Sequence, residues 1–114
     1  MIRRGEIWVA NFNPTRGNEV GKIRPALVIQ ADELTRAGAE TIVVLPITSQ
    51  ARQGVTHLRV RVSARTRLLK DCFVIVDKPR TLDRRRLGEG PLAALTWDEL
   101  RAVERGMSAV LGLI

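Results

Sequence analysis

Apolar residues fall in short blocks over the first three quarters of the chain and at helical spacing only in the tail, a pattern that predicts several strands followed by one helix. Ile7 and Val9 alternate with Trp8, Ala10 and Phe12, as in a strand partly covered on both faces, and Asn13-Pro14 ends it. PTRGNEVGKIR, from Pro14 to Arg24, is polar with two glycines and reads as a long, functional loop. ALVIQ, Ala26 to Gln30, and TIVVLPIT, Thr41 to Thr48, are β-branched runs expected to be buried strands, with room for one helical turn in ADELTRAGA between them. HLRVRV, His57 to Val62, alternates without error: Leu58, Val60 and Val62 should face the core, and His57, Arg59 and Arg61 should form a basic outer face. CFVIVD, Cys72 to Asp77, reads as the fifth strand, and TLDRRRL as a short, turn-rich connection.

The tail opens on a capping box, Thr96 with Glu99 in TWDE, and Asp98 and Glu99 suit the positive end of a helix dipole. Leu100, Val103, Met107, Val110, Leu111 and Ile114 then form one apolar stripe, expected to pack on the sheet. These elements predict one mainly-β domain over residues 1–114: five short antiparallel strands and a C-terminal amphipathic helix, which imply a small, strongly bent barrel or sheet capped at one side.

Charge changes the picture more than size does. The 114 residues carry a net charge of +7, and all but three of the 19 bases are arginine, whose planar fork of donors suits phosphate. From Thr41 to Lys70 there are six bases and no acid, so a positive field and a polyanionic partner are expected, a solubility-tuned basic surface being the alternative. No apolar run approaches the roughly 18 to 20 residues that span a bilayer, no amphipathic helix concentrates the bases, and MIRRGEIWVANF turns polar too early for a signal-peptide core. The expected compartment is the cytoplasm, without membrane contact.

Several chemistries are disfavoured by residue types alone. One cysteine and one histidine give no Cys/His zinc site, and the scattered acids, Asp71 and Asp77 among them, offer no magnesium cluster. GNEVGK, Gly17 to Lys22, lacks the spacing and the following Ser or Thr of a phosphate loop. Cys72 lies in an apolar run and reads as an inert core residue. No cofactor or metal is expected.

GEIW at Gly5 to Trp8, NPTRGNEVGKIRPALVIQ at Asn13 to Gln30, ITS at Ile47 to Ser49 and KDCFVIVDKPRTLDRRRLG at Lys70 to Gly88 resemble the motifs of the MazF/PemK toxin endoribonucleases, over nearly the whole chain. The resemblance implies a small, strongly bent, SH3-like β-barrel of five to seven strands capped by a C-terminal amphipathic helix, a homodimer, metal-independent and sequence-specific cleavage of single-stranded RNA, and a cognate antitoxin with an acidic, flexible binding segment. The family's conserved arginine and threonine fall on Arg24 and Thr48.

Such cleavage uses the ribose 2′-OH as nucleophile, so the protein must stabilise an oxyanionic phosphorane and assist proton movement. Arg24 is too basic for a general base and is assigned to charge stabilisation, with Thr48 as a hydroxyl donor. RNA contacts are expected from Asn18, Glu19 and Lys22 in the first loop, from Ser49, Gln50 and Arg52 after the third strand, and from His57, Lys78 and Arg80, with Arg59 and Arg61 beside His57 extending the basic groove and Arg59 contacting phosphate or nothing. Lys78 and Pro79 stand where the family usually has glutamine and isoleucine, which leaves the cleavage motif open. A non-catalytic toxin of the same fold, of the gyrase-poison type, or a basic RNA-binding module is the alternative.

Overall fold

The computed structural model describes residues 1–19, 21–50 and 58–114. Strands β1 (Glu6–Asn11), β2 (Ile23–Val28) and β3 (Thr41–Thr48) form an antiparallel meander, with a short helix α1 (Asp32–Arg36) in the β2–β3 connection. Strands β4 (Arg59–Val62), β5 (Cys72–Ile75), β6 (Arg80–Asp83) and β7 (Ala93–Ala94) follow, then helix α2 (Trp97–Val110). The hydrogen-bonded path runs β4-β5-β3-β2-β1-β7, with β6 beside β3.

The curl of this sheet originates in β3. One of its edges pairs with β2, while the other is divided: Thr41 to Val44 pair with β6, and Ile47 and Thr48 with β5. Because side chains alternate along each strand, the meander presents one apolar set to each face. Ile7, Leu27, Ile29, Leu45 and Ile47 join Val62, Cys72, Val74 and Val103 of α2 in one buried cluster. Ala10, Phe12, Ala26, Val28, Ile42, Val44 and Leu82 form the other. The result is the expected mainly-β half-barrel with its C-terminal helix.

The predicted capping box is present: the Thr96 hydroxyl accepts the Glu99 N–H at 3.2 Å, and the Glu99 carboxylate accepts the Thr96 N–H at 2.8 Å. Arg65 reaches the same carboxylate with both Nη atoms at 2.6 Å, locking the helix start to the β4–β5 connection. Val103 is fully buried, and Gly106 lies close enough to Val76 that a Cβ would stand 3.0 Å from its Cγ1.

Three expectations are corrected. TLDRRRL contains strand β6, whose partner β3 lies some forty residues back, followed by a 3-10 turn at Arg84–Arg86. The apolar stripe of α2 packs only over its first half: Val110, Leu111 and Ile114 extend past the sheet and are exposed. The acid-free stretch from Thr41 to Lys70 is not a uniform field either, because Asp77, Asp71 and Glu99 reach Arg59, Arg61 and Arg65 from elsewhere in the chain.

Candidate nucleic-acid interface

The loop between β1 and β2 is held by its own side chains. Asn13 Oδ1 accepts the Lys22 N–H at 2.9 Å, with Lys22 in the left-handed region at φ 73°, and Phe12 N–H bonds the Lys22 carbonyl at 3.0 Å. Gly21 sits so close to Thr15 that a Cβ would come within 2.9 Å of its methyl, so a larger residue there would have to displace the Thr15 side chain. Arg86 fastens the loop's origin by donating to the carbonyls of Asn11 and Asn13. Arg24 leaves this loop inside β2, not at a loop junction, with extended backbone as expected before Pro25. Its Nε donates to the Gly21 carbonyl at 2.9 Å, which fixes the direction of the guanidinium.

Sheet register then sets its partner. Ala26 faces Pro46 across the β2–β3 ladder, and two residues further along each strand stand Arg24 and Thr48. The ladder ends there, so Arg24 and Thr48 flank its open end, and both line the hollows that begin at that point. The Thr48 hydroxyl accepts the Gln50 N–H at 3.2 Å, which leaves its proton available for donation. Arg24 is partly buried, and among the described residues it has no carboxylate partner; burial pushes its pKa below the ordinary value. A partly dehydrated cation in that state is suited to receive an anion from outside.

Both residues stand in the wall between two hollows. One, of about 490 Å³, is lined by Lys22, Ser49, Arg67, Lys70 and Cys72 besides Arg24, Thr48 and Gln50. The second, of about 420 Å³, shares those last three and adds Asn18, Glu19, Arg59 and Lys78. A third hollow of about 370 Å³ adjoins it through Asn18, Glu19 and Lys78 and adds Asp77 and Arg80.

Asn18, Glu19, Lys22, Ser49, Gln50, Lys78 and Arg80 thus gather with Arg24 and Thr48 along one string of hollows. Glu19 also has a local task, accepting the Arg16 N–H at 2.7 Å to close a turn. The Arg80 guanidinium lies 5.7 Å over the Phe12 ring. Arg52 and His57 lie outside the described residues. Arg59 lines the middle hollow, in line with its expected place in the groove, but not on an outer basic face: its side chain is only 13% exposed and paired with Asp77. Arg67 and Lys70 were not among the expected site residues; their position beside the KDCF block was the available signal. Burial raises the Cys72 thiol to about 11, so it stays protonated and unreactive behind the site. Among the described residues, no three His, Cys, Asp or Glu side chains converge as a metal site, and no helix is long and apolar enough to cross a membrane.

The sequence model of the family described as PemK-like, MazF-like toxin of type II toxin-antitoxin system matches residues 3–111. Among solved structures, the chain is similar to MazF from Deinococcus radiodurans, with 29% identity, 96% of this chain and 94% of that chain covered, and a TM-score of 0.81. It is similar to the MazE-MazF structure from the same organism, at 29% identity over 96% of this chain and 95% of that one, with a TM-score of 0.74. An endoribonuclease in complex with its cognate antitoxin, from a mycobacterial species, shares the fold at 18% identity, 100% and 98% coverage and a TM-score of 0.79.

Proposed function

The chain belongs to the PemK-like, MazF-like toxins of type II toxin-antitoxin systems, and from that premise we propose that it is a sequence-specific endoribonuclease that cuts single-stranded RNA without a metal ion. The observation that carries this reading is that Arg24 and Thr48 together line the same two adjoining hollows. The 2′-OH gives its proton to water and attacks the adjacent phosphorus, the bond to the 5′ oxygen breaks, and that oxygen is protonated, with water restoring any proton supplied by Thr48, so the products carry a 2′,3′-cyclic phosphate and a 5′-OH. Arg24, preset by the Gly21 carbonyl, meets the charge that accumulates on the phosphorane oxygens. Thr48, whose oxygen already accepts the Gln50 N–H, donates its proton toward phosphate or leaving oxygen.

The polar side chains along the hollows read unstacked bases, with Asn18, Lys22, Ser49, Gln50 and Lys78 exposed to do so. The whole chain acts as one domain, as a symmetric homodimer in the cytoplasm, neutralised by an acidic, flexible antitoxin segment that competes for the same cations. The solved toxin-antitoxin complexes of similar chains support that partner. Incubation of single-stranded RNA with the protein in excess EDTA tests the reaction: fragments ending in cyclic phosphate are expected. Loss of cleavage in EDTA with rescue by magnesium overturns the mechanism.

A further inference from the structure

We infer that Arg59 is a second clamp on the RNA backbone, holding a phosphate next to the one at Arg24, with Asp77 as its positioning residue. This rests on the RNA-cleavage reading and extends it to a residue outside the Arg24–Thr48 pair.

The first argument is incomplete pairing. The Arg59 side chain is 13% exposed, so most of the hydration of its charge has been removed. What replaces it is weak: Nη1 reaches Asp77 Oδ1 at 3.4 Å and the Leu58 carbonyl at 3.3 Å, both longer than the roughly 2.7 to 2.9 Å of a strong charge-assisted bond. Among the described residues, Nε is buried with no partner and Nη2 has none either. A covered guanidinium with unused donors carries a free-energy cost that an incoming phosphate removes.

The second argument is placement. Arg59 lines the middle hollow together with Arg24 and Thr48, whereas Asp77 lines the adjoining one. The ion pair therefore stands in the wall between the second and third hollows, as Arg24 and Thr48 stand between the first and second. Both walls present a guanidinium to the middle hollow. A single strand threaded along the hollows puts a nucleoside in the middle one and a phosphate at each wall. Asp77 holds Nη1 and leaves Nη2 for the second phosphate.

Binding of a 2′-O-methyl single-stranded RNA, which lacks the nucleophile, separates this from cleavage. Affinity is measured over a salt series for the native chain, Arg59→Ala, Arg59→Gln and Asp77→Asn. Both Arg59 variants should bind about tenfold more weakly at low salt and lower the slope of log K against log salt by about 0.7, one phosphate contact on a single strand. Arg59→Gln keeps most of the stem, which guards against loss of packing as the cause. Asp77→Asn breaks the same ion pair but leaves the guanidinium, so its slope should be at least that of the native chain. If the native chain binds RNA and the Arg59 variants keep its slope, the clamp is overturned and the pair is a structural tie. If the native chain binds no RNA, the clamp falls together with the RNA reading.

Discussion

Two half-buried arginines, Arg65 under helix α2 and Arg24 at the open end of the sheet, meet opposite fates. Arg65 bonds both carboxylate oxygens of Glu99, the Ser63 carbonyl and hydroxyl, and the Ala94 carbonyl, and its pKa is raised, first through the hydrogen bond to Glu99. Arg24 bonds one carbonyl, and its pKa is lowered by burial. The same side chain is saturated by its own protein in one region and left wanting an anion in the other. Satisfaction of a buried guanidinium from within marks an architectural role; its absence at a cavity wall marks a binding role.

The contrast breaks most sharply at the open end. Arg24→Ala should lower the single-turnover cleavage rate by roughly a hundredfold or more, the cost of losing a preorganised donor, while circular dichroism stays native. Thr48→Ala should behave alike. Normal single-turnover cleavage by Arg24→Ala would reduce the open end to a docking surface.

At the closed end the expected loss is in stability. Glu99→Gln removes the charge that Arg65 embraces and should cost about 2 kcal/mol in denaturant unfolding, with the cleavage rate of the folded protein unchanged. A rate that falls with Glu99→Gln would mean that the two regions are coupled. The same carboxylate supplies a pH signature. Burial pushes its pKa up, but Arg65 and the Thr96 N–H outweigh that, so the folded value lies below the unfolded one. Its stabilisation is therefore complete above the unfolded pKa, near 4.5, and is lost as pH falls through the lower folded value. Unfolding midpoints of native chain and Glu99→Gln should converge on acidification across that window.

The smallest effect is expected from the exposed pair between Arg61 and Asp71, 61% and 51% exposed. Arg61→Ala should shift stability by less than about 0.5 kcal/mol, as for other solvent-screened pairs. A larger loss in urea unfolding would show that exposure is a poor guide to which arginines matter.

The elements legible in the sequence are those whose signal is local. Alternation and β-branched runs marked β1 to β5, and the capping box marked the start of α2 at Thr96. Strand β6 was missed because RTLD has no period of its own and becomes a strand only by pairing with Thr41 to Val44. Ala93 and Ala94 owe their strand to β1 in the same way. Arg59 was read as outward because alternation assigns sides of a flat strand, whereas a curled sheet turns part of its polar side into a cavity wall. The Arg24–Thr48 pair came from motif resemblance; its physical reason, cross-strand register, requires knowing which strands are neighbours.

Strand β3 is hydrogen-bonded along both edges, by β2 on one side and by β6 and then β5 on the other. Its amides should therefore be among the slowest to exchange with solvent, opening only when the two flanking sheets part together. Thr48, the last residue of β3, is paired on the β5 edge alone, with Phe73. Arg24 is likewise held on one edge, paired with Ala10 of β1, and its side chain is tethered through Nε to the Gly21 carbonyl. Any fitting of the site to an incoming strand accordingly falls to side chains and to the loop ahead of β2, between two strand backbones that each keep one ladder partner.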